Sequence, residues 1–315
     1  MVSLSAIYIG YLLDLLLGDP PNWPHPVRWI GKLITYTQTR IRQVCHSEQA
    51  LKWGGLLLWI IVVGTTYLVS WAILQLFASL PALQWLVEVM MIYTILATKC
   101  LNDAAMSVYQ ALKSGSLADA RQQLSYIVGR ETQTLNEEQI TRATVETVAE
   151  NSVDGVIAPL FFLFIGGAPL AMAYKAVNTL DSMIGYKTEK YRAIGYVSAR
   201  MDDLWNLIPA RISWFLFAGA AWLLKLNYRQ ALRIGWRDRY QHKSPNCAWS
   251  EATVAGALGI QLGGPNTYFG QLIDKPWMGD FVRNIETEDI RLTIRLMYLA
   301  SLLALVVFTV ICLIT

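Results

Sequence analysis

Apolar residues run along this chain in long stretches instead of short alternating patches. Residues 53–77 (WGGLLLWIIVVGTTYLVSWAILQLF) and 296–314 (LMYLASLLALVVFTVICLI) contain no charge at all. A hydrocarbon core of about 30 Å takes roughly 20 apolar residues of helix to cross, so both are predicted to span a membrane. Segment 83–98 is predicted to cross despite Glu88, turning back on 53–77 around Pro81. Segment 2–17 crosses only if Asp14 faces protein or water, because a carboxylate facing lipid is costly. Two further apolar stretches are predicted to be broken or re-entrant. One, 156–174, holds Pro159, Gly166, Gly167 and Pro169; the other, 204–224, is interrupted by Pro209 and Arg211. Broken helices at membrane depth line cavities.

The polar segments sharpen this picture. Lys and Arg fall in 28–52, 99–142, 175–200, 225–243 and 275–295, and are absent from the turn at 78–82 and from both ends. Cytoplasmic loops carry the excess of basic residues, so all five segments are expected on the cytoplasmic side, with both ends outside. Residues 103–128 are predicted to form two short helices around Gly115, and Asn136-Glu-Glu-Gln opens a longer helix towards Asn151. The strap at Pro20, Pro21 and Pro26 is predicted to be extended. The expected fold is all-α and polytopic: about four full transmembrane helices, two broken or re-entrant segments and helical cytoplasmic loops. Residues 1–315 are expected to act as a single membrane-embedded catalytic domain whose active-site segments are 99–155, 175–203 and 225–295.

Composition agrees. Of 315 residues, 54% are hydrophobic and 16% charged, where a soluble domain carries about 25% charged residues. A net charge of +3, spread over many loops, gives no reason to expect nucleic acid. Cys45, Cys100, Cys247 and Cys312 stand far apart, as do His25, His46 and His242. That spacing predicts neither a disulfide framework nor a zinc site, and the cysteines read as small hydrophobes. The N-terminus lacks a basic region and a small-residue cleavage site, which argues against a removable signal peptide.

Four constellations could carry chemistry. Glu146 and Glu150 lie four apart and share a helical face, which Asp154 extends if the helix continues. Clustered carboxylates beside an apolar segment suit Mg²⁺, which takes oxygen ligands and leaves room for substrate phosphates; the plainer reading is a solvated helix face. Lys175, Asn178 and Asp181 form a second stripe, with Lys175 as a mobile charge for phosphate or a snorkelling lysine. Arg200, Asp202 and Asp203, with Arg211 inside the next apolar stretch, form a third. Asp14, Asp19, His25 and Arg28 make a fourth. Arg130 could present an anion-binding guanidinium, and residues 244–268 read as a loop–helix–loop cap over a large, partly apolar ligand. No P-loop, dinucleotide fingerprint or nucleophile elbow is present. A membrane transferase acting on a polyprenyl or lipid diphosphate is an alternative, but Asp202-Asp203 has no second Asp-rich partner motif. A transporter is another, and no inverted repeat supports it.

Together, LDLLLGDP at 13–20, HPVRWIG at 25–31, IVGRET at 127–132, VETVAENSVDG at 145–155, YKAVNTLDS at 174–182, SARMDD at 198–203 and SPNCAWSE at 244–251 resemble the cobalamin-biosynthesis CobD/CbiB family, adenosylcobinamide-phosphate synthase, of enterobacterial type. The resemblance runs from about Leu13 to Arg295. It implies a bacterial inner-membrane ligase that joins adenosylcobyric acid to aminopropanol phosphate with ATP as co-substrate and Mg²⁺. The corrinoid is then a substrate and no bound cofactor, and other membrane enzymes of late cobalamin assembly are candidate partners beside the bilayer. Chemistry assigns the residues. Glu146, Glu150, Asp154, Lys175, Asp181 and His25 are the catalytic candidates. Glu150, Asp154, Asp181, Asp202 and Asp203 are the metal candidates. Arg28, Arg130, Asn151, Asn178, Lys187, Arg200, Arg211, Trp249, Glu251, Asn266 and Tyr268 are the substrate-binding candidates, with the Trp249–Tyr268 cap against the corrin face.

Overall fold

The structure is a computed structural model and describes residues 3–20, 23–268 and 271–314, without the side chains of 266–268 and 271–273. Its contacts group the chain into two compact units.

The first unit comprises Met1–Ala97, Ala158–Asn206 and Phe308–Thr315. It holds α1 (Leu4–Leu17), α2 (Pro26–Val44), α3 (Glu48–Leu76), α4 (Pro81–Ile95), α8 (Ala158–Ile184) and α9 (Tyr196–Trp205). Ser47 caps α3 by accepting the Ala50 N–H, and the helix then runs 29 apolar-rich residues. Proline opens both α2 and α4, at a first-turn position where a missing N–H costs nothing. Ile30, Ile34, Leu58, Val62, Val177 and Leu180 form the shared core of α2, α3 and α8. Gly55 is needed there, because a Cβ would stand 2.2 Å from the Ile194 carbonyl oxygen.

The second unit comprises Thr98–Ile157 and Leu207–Val307. It holds α5 (Thr98–Lys113), α6 (Leu117–Ser125), α7 (Glu137–Ser152), α10 (Leu207–Leu223), α11 (Tyr228–Arg237), α12 (Cys247–Leu258), most of α13 (Glu288–Ile314) and four short strands. Strand β1 (Leu262–Gly263) pairs antiparallel with β4 (Trp277–Met278), and β2 (Asn266–Tyr268) with β3 (Gln271–Ile273). Gly115, at φ +79°, separates α5 from α6 as the sequence predicts. Asn136 and Gln139 exchange side-chain and backbone hydrogen bonds of 2.9 Å, a capping box that starts α7 where expected. A π-helical turn at Val153–Ile157 follows α7 directly.

Four helical runs among the described residues are long and apolar enough to cross a membrane: Glu48–Leu76, Pro81–Lys113, Glu137–Ile184 and Glu288–Ile314. The protein is an all-α polytopic membrane protein. Two expectations need correction. Helix α1 has 14 residues, about 21 Å at ~1.5 Å each, and is too short to cross alone. The run Glu137–Ile184 takes that place in the count of four. Its interruption falls as predicted, at Gly166 and Gly167, with Gly167 at φ +71°. In 204–224 the interruption is instead at Asn206, between α9 and α10. Pro209 sits in the first turn of α10 and leaves that helix continuous over 17 residues.

Candidate functional site

In the second unit, α7 presents Glu146 and Glu150 one turn apart, and α12 presents Cys247 and Glu251 at the same spacing. Arg130, Glu146, Glu150, Asn151, His242, Glu251 and Lys275 line one cleft of about 140 Å³. The i, i+4 reading of Glu146 and Glu150 therefore describes a real wall. Asp154 does not belong to it. It lies in the π-helical turn and does not line the cleft, although its charge reaches Cys247.

Glu146 is a fixed strut. One oxygen receives the Gly263 N–H at 2.6 Å and the other pairs with Arg130 at 2.5 Å. Both ionic groups of that pair are nearly enclosed, Arg130 being 9% exposed. Glu146 and Arg130 thus stand in the cleft wall as one ion pair, anchored to β1 through the Gly263 N–H. Glu150 is half-buried and accepts the Cys247 thiol at 2.9 Å. Asn151, exposed at the cleft, donates to the Thr147 carbonyl at 2.9 Å.

His242, Cys247 and Glu251 bring one ligand atom each within 4.8 Å of one another. The sequence reading missed this group, because no local spacing links 242, 247 and 251 to 150. The thiol donates to Glu150, and burial together with the charges of Glu150, Glu251 and Asp154 pushes the Cys247 thiol well up. His242 Nδ1 already accepts the Ser244 N–H at 3.1 Å. Burial also pushes Glu251, 4% exposed, well above the usual carboxylate range; Glu150 and Glu146 add to the rise, while Lys275 and Arg130 oppose it. The folded carboxyl thus keeps its proton at pH values where the unfolded one has lost it. Its contribution to stability is full below about pH 4.5 and is lost as pH rises towards the folded value. Glu251→Gln, an isosteric mimic of the neutral acid, is expected to gain stability relative to the parent between pH 5 and 8, by up to about 1.4 kcal/mol per pH unit. Thermal unfolding in detergent across that range tests it, and a constant or shrinking difference sinks it.

The segment expected to cap the corrin is helical over α12 and extended over β2. All twelve residues of α12 are buried except the partly exposed Cys247, and Trp249 is 3% exposed among Trp214, Trp236 and Arg211. Arg211 stacks on the Trp249 ring at 5.1 Å and donates to Leu207 O and Asn246 Oδ1. Together Trp249 and Arg211 hold α10 to α12. Asn266 and Tyr268 lie in β2, and their side chains are outside the described residues.

In the first unit, the stripes on α8 and α9 meet. Tyr174 donates to Asn206 Oδ1 at 2.9 Å, and Asn206 Nδ2 donates to Asp202 Oδ2 at 3.1 Å. Asp202 Oδ1 is buried and finds no hydrogen-bond partner among the described residues. Burial, then the charges of Asp181 and Asp203, push Asp202 up to about 7 against the hydrogen bonds of Asn206 and Asn178. A second pocket of this unit, about 310 Å³, is lined by Asp19, His25, Arg28, Tyr93 and Lys175 among others. His25 caps α2 by accepting the Val27 N–H on Nδ1, and its Nε2 lies 3.3 Å from Asp19. Lys187 and Arg200 are exposed and line neither this pocket nor the second unit's cleft; Arg200 lies over the Tyr196 ring.

The family model described as CobD/Cbib protein matches residues 7–297. "Cobalamin biosynthesis protein CobD" of Photorhabdus laumondii and of Yersinia enterocolitica are each 66% identical over 308 residues, 98% of this chain and 97% of theirs. "Cobalamin biosynthesis protein CbiB" of Salmonella arizonae is 62% identical over the same share of both chains. No solved structure matches.

Proposed function

The chain belongs to the CobD/CbiB family, whose place in cobalamin assembly is adenosylcobinamide-phosphate synthase, and from that premise we propose that it is an ATP- and Mg²⁺-dependent amide ligase. Its substrates in this reading are adenosylcobyric acid and (R)-1-amino-2-propanol phosphate, and it works in the bacterial inner membrane with its polar cleft open to the cytoplasm. The transferase and transporter readings give way to family membership. The observation that carries the chemistry is the second unit's cleft, which sets Arg130 and Lys275 beside Glu146, Glu150 and Glu251.

A carboxylate does not react with an amine until it is activated, most simply as an acyl phosphate. The amine nitrogen then adds to the acyl carbon, phosphate leaves, and the ammonium proton must go to a base. Glu150 is that base: it lines the cleft, and the bond it accepts there comes from the weakly donating Cys247 thiol. Lys275 and Arg130 supply fixed positive charge for phosphate oxygens, the kind of electrostatic positioning on which phosphoryl transfer depends. In the first unit, Arg28 and Lys175 give the second pocket its own affinity for an anionic group.

Mg²⁺ fits the acidic set of the first unit. Asp202 Oδ1 is buried without a hydrogen bond among the described residues, Asp181 and Asp203 add charge, and Asn178 and Asn206 donate hydrogen bonds to the Asp202 carboxyl. A hard cation takes such ligands, and Asp181, Asp202 and Asp203 would hold it. When bound, the ion neutralises charge on nucleotide phosphates.

Purified protein given adenosylcobyric acid, aminopropanol phosphate, ATP and Mg²⁺ is expected to yield the phosphate-bearing amide by mass spectrometry. Omitting ATP, or chelating Mg²⁺, is expected to abolish it. A competent preparation that makes no amide overturns the ligase reading.

A further inference from the structure

We infer that His242 is a neutral hydrogen-bond donor to an oxygen of the acyl substrate in the second unit's cleft, an assignment that rests on the ligase reading above. The imidazole lies in the turn between α11 and α12 and forms part of the cleft wall. Its Nδ1 receives the backbone N–H of Ser244 at 3.1 Å. A ring nitrogen that accepts an N–H keeps its lone pair, so the neutral ring carries its proton on Nε2. Ser244 is itself held, its Oγ receiving the Asn246 N–H at 3.3 Å, while Asn246 Oδ1 receives Arg211. The tautomer is therefore set by the backbone.

Four charged groups bear most on the ring, and the Glu251 carboxyl also lies within 4.8 Å of it. Glu146 and Glu150 on α7 favour the imidazolium; Lys243 on the same turn and Lys275 ahead of β4 oppose it. Burial is the largest influence and lowers the ring's proton affinity, so the neutral form prevails. This has a chemical use. An imidazolium here would lend its proton to Glu150, the group that must stay free to take one from the amine. A neutral Nε2–H offers a hydrogen bond without offering a proton. As the amine nitrogen adds to the acyl carbon, the acyl oxygen gains negative charge. A donor fixed in advance stabilises that charge more than it stabilises the starting carbonyl. Proton release and oxyanion stabilisation are then divided between Glu150 and His242.

The chain contains three histidines, His25, His46 and His242. Protein labelled with ¹⁵N-histidine in micelles therefore gives few signals, and those lost in His242→Gln belong to His242. The expected pattern is Nε2–H with an unprotonated Nδ1 at pH 7.5; an Nδ1–H tautomer or an imidazolium at pH 7.5 overturns the assignment. His242→Ala is expected to lower kcat by about 10²–10³-fold, the cost of one lost oxyanion donor. His242→Gln, which keeps a donor N–H, is expected to recover at least ~10-fold of that loss with KM little changed. A loss in KM alone, or no recovery with Gln, overturns the role. Wild-type protein that makes no amide sinks the ligase reading, and the tautomer is still decided by the spectra.

Discussion

Replacing Glu150 by Gln is expected to slow amide formation by about 10²–10⁴-fold, the size of a lost general base. Insertion and melting temperature should be unchanged. Gln keeps the size of the side chain and an oxygen that can accept the Cys247 thiol, so the contact between α7 and α12 survives. What it cannot do is take the proton from the incoming ammonium. Mass-spectrometric rates for the parent and Glu150→Gln, at saturating ATP and Mg²⁺, measure the effect. A variant within about threefold of the parent would remove Glu150 from the chemistry, since base catalysis is worth far more than that.

The parts of the site that were legible in the sequence are those fixed by local geometry. Four residues is one helical turn, so Glu146 and Glu150 had to share a face once the Asn136 capping box had started the helix. Gly166 and Gly167 break α8 because a φ of +71° suits glycine alone. The remaining features depend on which surface each helix buries, and no local pattern records that. Trp249 in its motif reads as an aromatic ligand platform, yet α12 is enclosed on all sides and the ring packs against Trp214 and Trp236. His242 and Cys247 look scattered in the sequence and become neighbours of Glu150 through tertiary packing alone. His242 lies two residues ahead of the SPNCAWSE phrase, which was the one available hint. Arg211 needed a partner inside an apolar helix and found a π face and two carbonyl-type oxygens in place of a carboxylate.

Glu146→Ala is expected to cost about 3–5 kcal/mol of stability, the penalty for leaving one member of a buried ion pair uncompensated. Arg130 would remain nearly enclosed without its counter-charge, and the Gly263 N–H would lose its acceptor. Two anchors fail at once, because the same carboxylate ties the segment before α7 and strand β1 to the helix that carries Glu150. Catalysis should fall with stability, since the cleft wall is displaced even in molecules that stay folded. The double variant Arg130→Met/Glu146→Leu separates the two effects. It removes both charges together, so most of the lost stability should return, as it does when a buried pair is replaced by apolar side chains of similar volume. Turnover should not return, because the cleft has lost a cation for phosphate and the acceptor that orders Gly263. Unfolding in denaturing detergent gives the stabilities of all three proteins. A single variant that loses less than about 1 kcal/mol would place Glu146 among the weak, solvent-screened pairs and end its standing as the strut of the site.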